Sequence, residues 1–306
     1  MRVIEPNEPI EVKNVATLIY GDPGSGKTSL GNMTREPMLI DFDRGAHRSA
    51  NRGRVAIPDN VPETIQYLEK HAAEYGDIVI DTVGRLLDMN TADIAKKPKM
   101  ANSSGGLSPQ GWGVLRDSFL TFKTRAIALQ KDLYLLAHAK EEKDDDQRIW
   151  RPDIQGGSQA EILKACEFAG YLTIKGGKRI IQWSQTDRNI GKDPAGWGAV
   201  EVPHFATSPR FLADLIADGK AKLGQIDEKA KALDQEIAAW RVRLEGAEHA
   251  ETLNLLYKSF QGSAPNATVK SAVWALFLSR SKALGFVWSP ADKTFSAPVA
   301  APEQAA

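Results

Sequence analysis

Only one cysteine, Cys166, stands among the 306 residues. That excludes an intramolecular disulfide and any zinc site built on several thiolates, and its apolar surroundings mark a buried structural thiol rather than a reactive one. Net charge is also missing: 39 Lys+Arg balance 39 Asp+Glu. A basic surface over the whole chain is therefore excluded, though a local nucleic-acid groove is not. No apolar run is long enough to cross a bilayer. The opening MRVIEPNEPIEV carries acids and prolines where a signal peptide needs an apolar stretch, so a cytoplasmic protein with no membrane partner is expected. Internal repeats are absent. What remains is ordinary for a globular chain of one or two domains, with 42% hydrophobic and 25% charged residues.

Short apolar runs at 16–20 (ATLIY), 38–42 (MLIDF), 78–81 (IVID) and 133–137 (LYLLA) read as buried strands, the last ending at His138. Between them, 62–75 has helical spacing in Ile65, Leu68 and Ala72, with Pro62 suited to the first turn and Gly76 to the stop. Trp112, Leu115, Phe119, Phe122 and Ala126 mark another helix, with these side chains in the core. Strands alternating with helices predict an α/β fold around a mainly parallel sheet. Residues 92–110 and 141–157 lack periodicity and read as two polar loops. Ser158 and Glu161 have capping-box spacing for a helix through Cys166. The runs 171–175 and 178–183 flank Gly176-Gly177 as a hairpin. Ser208-Pro209 predicts a short helix that Gly219 closes. Beyond it lie three amphipathic helices, marked by Ile226 to Leu244, Leu253 to Phe260 and Val269 to Leu284. The expected organisation is an α/β domain over 1–219, a small helical domain over 220–296 and a disordered tail over 297–306.

GDPGSGKT, at Gly21, Asp22, Pro23, Gly24, Ser25, Gly26, Lys27 and Thr28, satisfies G-x-x-x-x-G-K-[ST] at every fixed position. Its glycines let successive backbone N–H groups cradle phosphate oxygens. Lys27 reaches the β- and γ-phosphates of ATP, Thr28 ligates Mg²⁺, and the helix starting there, with Ser29, adds its positive end. The run ending in Asp81 fits the metal-facing strand of such a site. Thr82 follows it rather than a glutamate, so the water-activating carboxylate must come from elsewhere. Asp41 and Asp43 are the nearest candidates, on the premise that their strand lies beside the P-loop strand; a solvated loop carboxylate is the other reading. His138 is either a sensor of the γ-phosphate or a satisfied structural residue.

In order, GDPGSGKT, LIDFDRGAHR, DIVIDTVGRLL, LYLLAHAKE and GGSQAEILKACEFAGYLTI resemble the RecA-like recombinase core, over about residues 17–183. More closely, the chain is similar to compact phage-encoded RecA-core ATPases of single-strand annealing and recombination, which would place it in an infected bacterial host. The resemblance implies that Asp43 replaces the catalytic glutamate with a shorter carboxylate, and that His138 links the γ-phosphate to two DNA-binding loops. Those loops would be 92–110, with Lys96, Lys97 and Lys99, and 141–157, with Arg148, Trp150 and Arg151. In TDRNIGK, Arg188 matches a finger presented to a neighbour's ATP, and Thr186 stands where a lysine is common. The implied partners are single-stranded DNA, further copies of the chain in a ring or filament, and a single-strand-binding protein. A replicative-type helicase or helicase loader is the alternative motor reading, and a nucleotide-gated DNA-binding scaffold with little hydrolysis is another. A small-molecule kinase would need an arginine-rich lid, which the acidic stretch at 141–146 does not provide.

Overall fold

The computed structural model describes residues 11–144, 147–155, 157–263 and 266–298, without the side chains of 144, 147 and 225–230. The parts of the expectations that fall at 1–10, in the opening segment, at 145–146 and 156, in the second polar loop, and at 299–306, in the tail, lie outside the described residues. Contacts divide the chain into one compact unit over Glu11–Leu223 and another that holds the residues from Gly224 onward.

The first unit is organised by β1 (Ala16–Gly21), which leads into α1 (Lys27–Gly31), then β2 (Pro37–Asp41), β3 (Arg54–Ala56), α2 (Val61–Lys70), β4 (Asp77–Asp81), α3 (Val83–Ala95) and α4 (Pro109–Ala128). There follow β5 (Leu133–Asp144), β6 (Gln147–Pro152), α5 (Ser158–Ala165), β7 (Phe168–Lys175), β8 (Lys178–Gln182), β9 (Ala199–Glu201) and α6 (Phe211–Glu245), whose residues from Gly224 onward count with the second unit. One sheet runs β3-β2-β4-β5-β1-β7-β8-β9, with β6 paired to β5. Strands β1 to β5 and β7 are mutually parallel, and β8, β9 and β6 are antiparallel to their neighbours. The continuous apolar runs are explained by burial on both faces. Leu18, Ile80 and Leu135 enter one core with residues of α2 to α5, while Ile19, Val79 and Leu136 enter a second core with Leu30, Leu212 and Ile216.

Several expectations change. The strand carrying Asp41 is not beside the P-loop strand, because β4 and β5 stand between β2 and β1. Nor does β5 stop at His138. Residues 141–144 and 147–152, expected as part of a polar loop, form an antiparallel ribbon in which Glu141 opposes Trp150 and Lys143 opposes Arg148. Ion pairs between its strands, Arg148–Glu141 and Arg151–Glu142 at 3.2 Å each, replace the apolar alternation that would have announced it. The other expected loop is trimmed from both ends: α3 runs to Ala95, and Ser108 caps α4 by accepting from Gly111 N. In α4, Trp112 is 41% exposed and does not join the core face of Leu115, Phe119 and Phe122. Ser158 is the first residue of α5, not its cap; the cap is Gly157, without a side-chain bond.

Gly219 does not close a helix; α6 runs through it. Its lack of a side chain serves packing instead, since a Cβ there would stand 2.5 Å from the Trp197 ring and 2.7 Å from Phe168. In the second unit, α7 (Ala250–Gly262) and α8 (Ala267–Ala283) appear as the periodicity predicts, joined by an unforeseen hairpin of β10 (Val287–Ser289) and β11 (Thr294–Ser296). Phe295 of that hairpin is buried against Phe277 and packs beside Trp288. Cys166 is fully buried, and burial pushes its thiol up to about 12. No described helix is long and apolar enough to cross a membrane.

Candidate functional site

At the C-terminal edge of the parallel strands, β1 turns into α1 through residues whose backbone needs glycine. Gly24 and Gly26 have φ of +80° and +98°, and a Cβ at Gly21 would stand 2.3 Å from Leu172 O on β7. Ser25 N donates to Asp22 O at 3.1 Å, closing the turn. Lys27 folds back into the loop it follows, donating from Nζ to Gly21 O at 2.8 Å and Asp22 O at 2.9 Å. Burial lowers its pKa, while Asp81, Asp22 and Asp43 oppose that fall. The helix α1 is only five residues long, so the contribution of its dipole is confined to little more than one turn.

Around this loop opens a cavity of about 570 Å³. Pro23, Gly24, Gly26, Lys27, Thr28 and Ser29 line it from the loop, Asp43 and Asp81 from beyond β2 and from β4, and His138 from β5. Ser25 does not line it; its Oγ has no hydrogen-bond partner among the described residues and lies against Gly21. Thr28 Oγ1 donates to Asp81 Oδ2 at 2.6 Å. Burial pushes Asp81 up to about 6 against the hydrogen bond from Thr28; Asp41 adds to the rise and Lys27 opposes it.

Asp41 and Asp43 part company after β2. Both oxygens of buried Asp41 accept backbone bonds, from Gly45 N at 3.0 Å and Ala46 N at 2.9 Å, so it shapes the turn and does not line the cavity. Asp43 does line it, held by its own N–H donating to Asp81 O at 3.0 Å. Its carboxylate meets Arg85 Nε at 3.4 Å, Arg48 at 3.5 Å and His138 Nε2 at 3.9 Å. His138 pairs in register with Gly21, which is why a residue from the middle of β5 reaches the phosphate loop. Burial, then Lys27, lowers its pKa, and its Nδ1 has no partner.

Sequence reasoning missed three arginines of this cavity, Arg48, Arg85 and Arg179. The first two lie inside motifs whose aspartates drew attention; Arg179, on the hairpin strand β8, left no local signal. Four cationic side chains, Lys27 and these arginines, thus face two carboxylates, Asp43 and Asp81. That excess of positive charge suits a polyphosphate, and the hydroxyl and carboxylate oxygens of Thr28 and Asp81 are the hard donors Mg²⁺ takes. No cluster of three metal-ligating side chains occurs among the described residues.

A sequence profile described as AAA domain matches residues 13–195, more than half of the chain. The chain belongs to the AAA domain family. With its intact phosphate loop and the cavity around it, this AAA-domain chain is a nucleotide-binding P-loop ATPase. Among solved structures, a KaiC-like protein of the hyperthermophilic archaeon Pyrococcus horikoshii OT3 is similar, with a TM-score of 0.35 and 13% identity over 62% of this chain and 89% of that one. No curated protein matches.

The remaining expected site residues lie outside the ATPase cavity. Arg188 sits in the turn closed by Thr186 and Asn189, and its carbonyl accepts from Trp150 N at 2.8 Å. Trp150 itself is half-buried and stacks on Tyr171, with centroids 5.9 Å apart. Arg148 and Arg151 share β6 with it. Lys96, Lys97 and Lys99 belong to the connection after α3, where Lys96 pairs with Asp93 at 2.9 Å.

Proposed function

We propose that this ATPase is an ATP-dependent, single-stranded-DNA-binding protein of recombination and annealing, working as a ring or filament of identical subunits. The observation that carries the reading is the continuity of β5. One strand passes from the parallel core, through His138 in the nucleotide cavity, into the hairpin that bears Arg148, Trp150 and Arg151. A change at His138 has a rigid path to that hairpin. In this reading Lys27 meets the β- and γ-phosphates, and Thr28 and Asp81 hold Mg²⁺, which supplies charge neutralisation at phosphate oxygens. Asp43 draws the proton from the attacking water. Arg148 and Arg151 take backbone phosphates, Trp150 takes a base, and Lys96, Lys97 and Lys99 extend the path. Arg188, which does not line its own chain's cavity, suits a finger offered to a neighbour.

Binding of a labelled oligo-dT, followed by fluorescence anisotropy with and without ATP, tests this. Affinity should rise with ATP, fall steeply with salt, and drop when Arg148 and Arg151 are both replaced by alanine. Binding that ignores ATP and both substitutions would remove DNA from the proposal. Mixing Lys27→Ala with Arg188→Ala subunits should restore part of the ATPase activity if the finger acts across an interface.

One observation favours a slower, gate-like ATPase. Both carboxylate oxygens of Asp43 are engaged by guanidinium groups, Arg85 on Oδ1 and Arg48 on Oδ2. One must be released before that carboxylate can take a proton from water. Single-turnover hydrolysis that is slow in wild type and faster in Arg48→Ala would support this form of the reading.

A further inference from the structure

Arg179 comes from a strand to which no phosphate motif points. Its Nε donates to Ser25 O at 3.1 Å, in the middle of the P-loop. Its side chain lies so close over Gly26 that a Cβ there would stand 2.7 Å from Nε. Arg179 lines the same cavity as Lys27 and Thr28. The three arginines of that cavity differ in one respect. Arg48 and Arg85 are paired with Asp43, at 3.5 Å and 3.4 Å. The two terminal nitrogens of Arg179 have no ion-pair or hydrogen-bond partner among the described residues. An arginine anchored through Nε, with its terminal N–H groups open to a cationic cavity, has the fork geometry that takes two phosphate oxygens.

The strand order says which phosphates those are. Asp43, Asp81 and His138 approach the loop from the side of β4 and β5, whereas Arg179 approaches from β8 by way of β7, on the opposite flank of β1. We infer that Arg179 is a phosphate ligand supplied by the same chain, contacting the phosphates that ATP and ADP share. The nucleotide then receives a second cation, besides Lys27, from its own subunit, and tight binding needs no neighbour. This rests on the ATP site alone and stands whether or not the protein binds DNA.

The test uses the full chain with Arg179→Met, which keeps the aliphatic packing over Gly26, and Arg179→Lys, which keeps the charge. Titration calorimetry with MgADP and with a non-hydrolysable MgATP analogue gives the affinities, and thermal melting without nucleotide reports on the fold. Arg179→Met should weaken both nucleotides alike, by about tenfold or more, and leave the nucleotide-free melting temperature within about 1 °C of wild type. Arg179→Lys should recover part of the loss. Wild-type affinity in Arg179→Met would overturn the inference. So would a loss confined to the ATP analogue, which would move the contact to the γ-phosphate. A lysine variant as weak as the methionine one, with both melting early, would make Arg179 a prop for the loop and no ligand.

Discussion

Thr28 Oγ1 and Asp81 Oδ2 are joined by a 2.6 Å hydrogen bond that ties the end of the P-loop to the end of β4, across the intervening strand β5. The bond stabilises a carboxylate that burial pushes up to about 6. Because the native state holds this proton more tightly than the unfolded chain, Asp81's contribution to stability is present below about pH 4 and is lost as pH rises through about 6. Metal ligation runs the other way, since Mg²⁺ takes the ionised form. Mg²⁺-dependent nucleotide affinity should therefore strengthen as pH rises from 5 toward 7.5. Asp81→Asn should lose that dependence, yet melt roughly 2–4 °C higher than wild type at pH 7.5 without nucleotide. Calorimetry and melting curves at the two pH values check both; a variant that melts lower would mean the buried charge is better compensated than its neighbours indicate.

Asp41 and Asp43 should separate cleanly on substitution. Asp41→Asn exchanges one of two acceptors for a donor facing Gly45 N or Ala46 N, in a buried turn, which costs about 1–3 kcal/mol. The expected result is a lowered melting temperature. Asp43→Asn loses no backbone bond and should keep fold and ATP affinity while losing most single-turnover hydrolysis. Wild-type turnover in Asp43→Asn would leave the water-activating group elsewhere.

What the sequence disclosed was local chemistry. GDPGSGKT is readable because backbone geometry and phosphate contact are both encoded within eight consecutive positions. Asp81 and His138 were readable because short apolar runs end beside them, and the register of β5 on β1 sets His138 beside Gly21. Strand order was not readable, since nothing in LIDFD reveals that two strands separate it from the P-loop. The same blindness hid Arg179, whose meaning depends on β8 lying next to β7. The hairpin of β5 and β6 was masked because its strands are held by charge pairs instead of an apolar face.

Gly219 gives a stability test of a non-local constraint. Alanine there would favour the helix by up to about 1 kcal/mol. Its Cβ, however, would press into the rings of Trp197 and Phe168 at 2.5 and 2.7 Å, and overpacking of this kind costs about 1–3 kcal/mol. Gly219→Ala should lower the melting temperature by a few degrees. A higher one would show that the rings move aside easily.

The acidic residues of the β5–β6 hairpin should act as competitors of DNA. Glu141 pairs with Arg148 at 3.2 Å, and Glu142 pairs with Arg151 at 3.2 Å and with Lys140 at 2.7 Å. Surface pairs of this kind are worth about 0–1 kcal/mol, so on the proposed DNA-binding reading a nucleic-acid phosphate would displace the carboxylates at little cost. Replacing both glutamates by glutamine should barely change the melting temperature, because β-sheet hydrogen bonds still hold the hairpin. It should tighten binding of oligo-dT by about three- to tenfold at low salt and steepen the fall of affinity with salt, since two local negative charges that repel phosphate are gone. Replacing Arg148 and Arg151 by alanine should do the reverse, flattening the salt dependence. If both double variants bind with wild-type affinity and slope, the hairpin is not the DNA surface, and the connection carrying Lys96, Lys97 and Lys99 becomes the place to look.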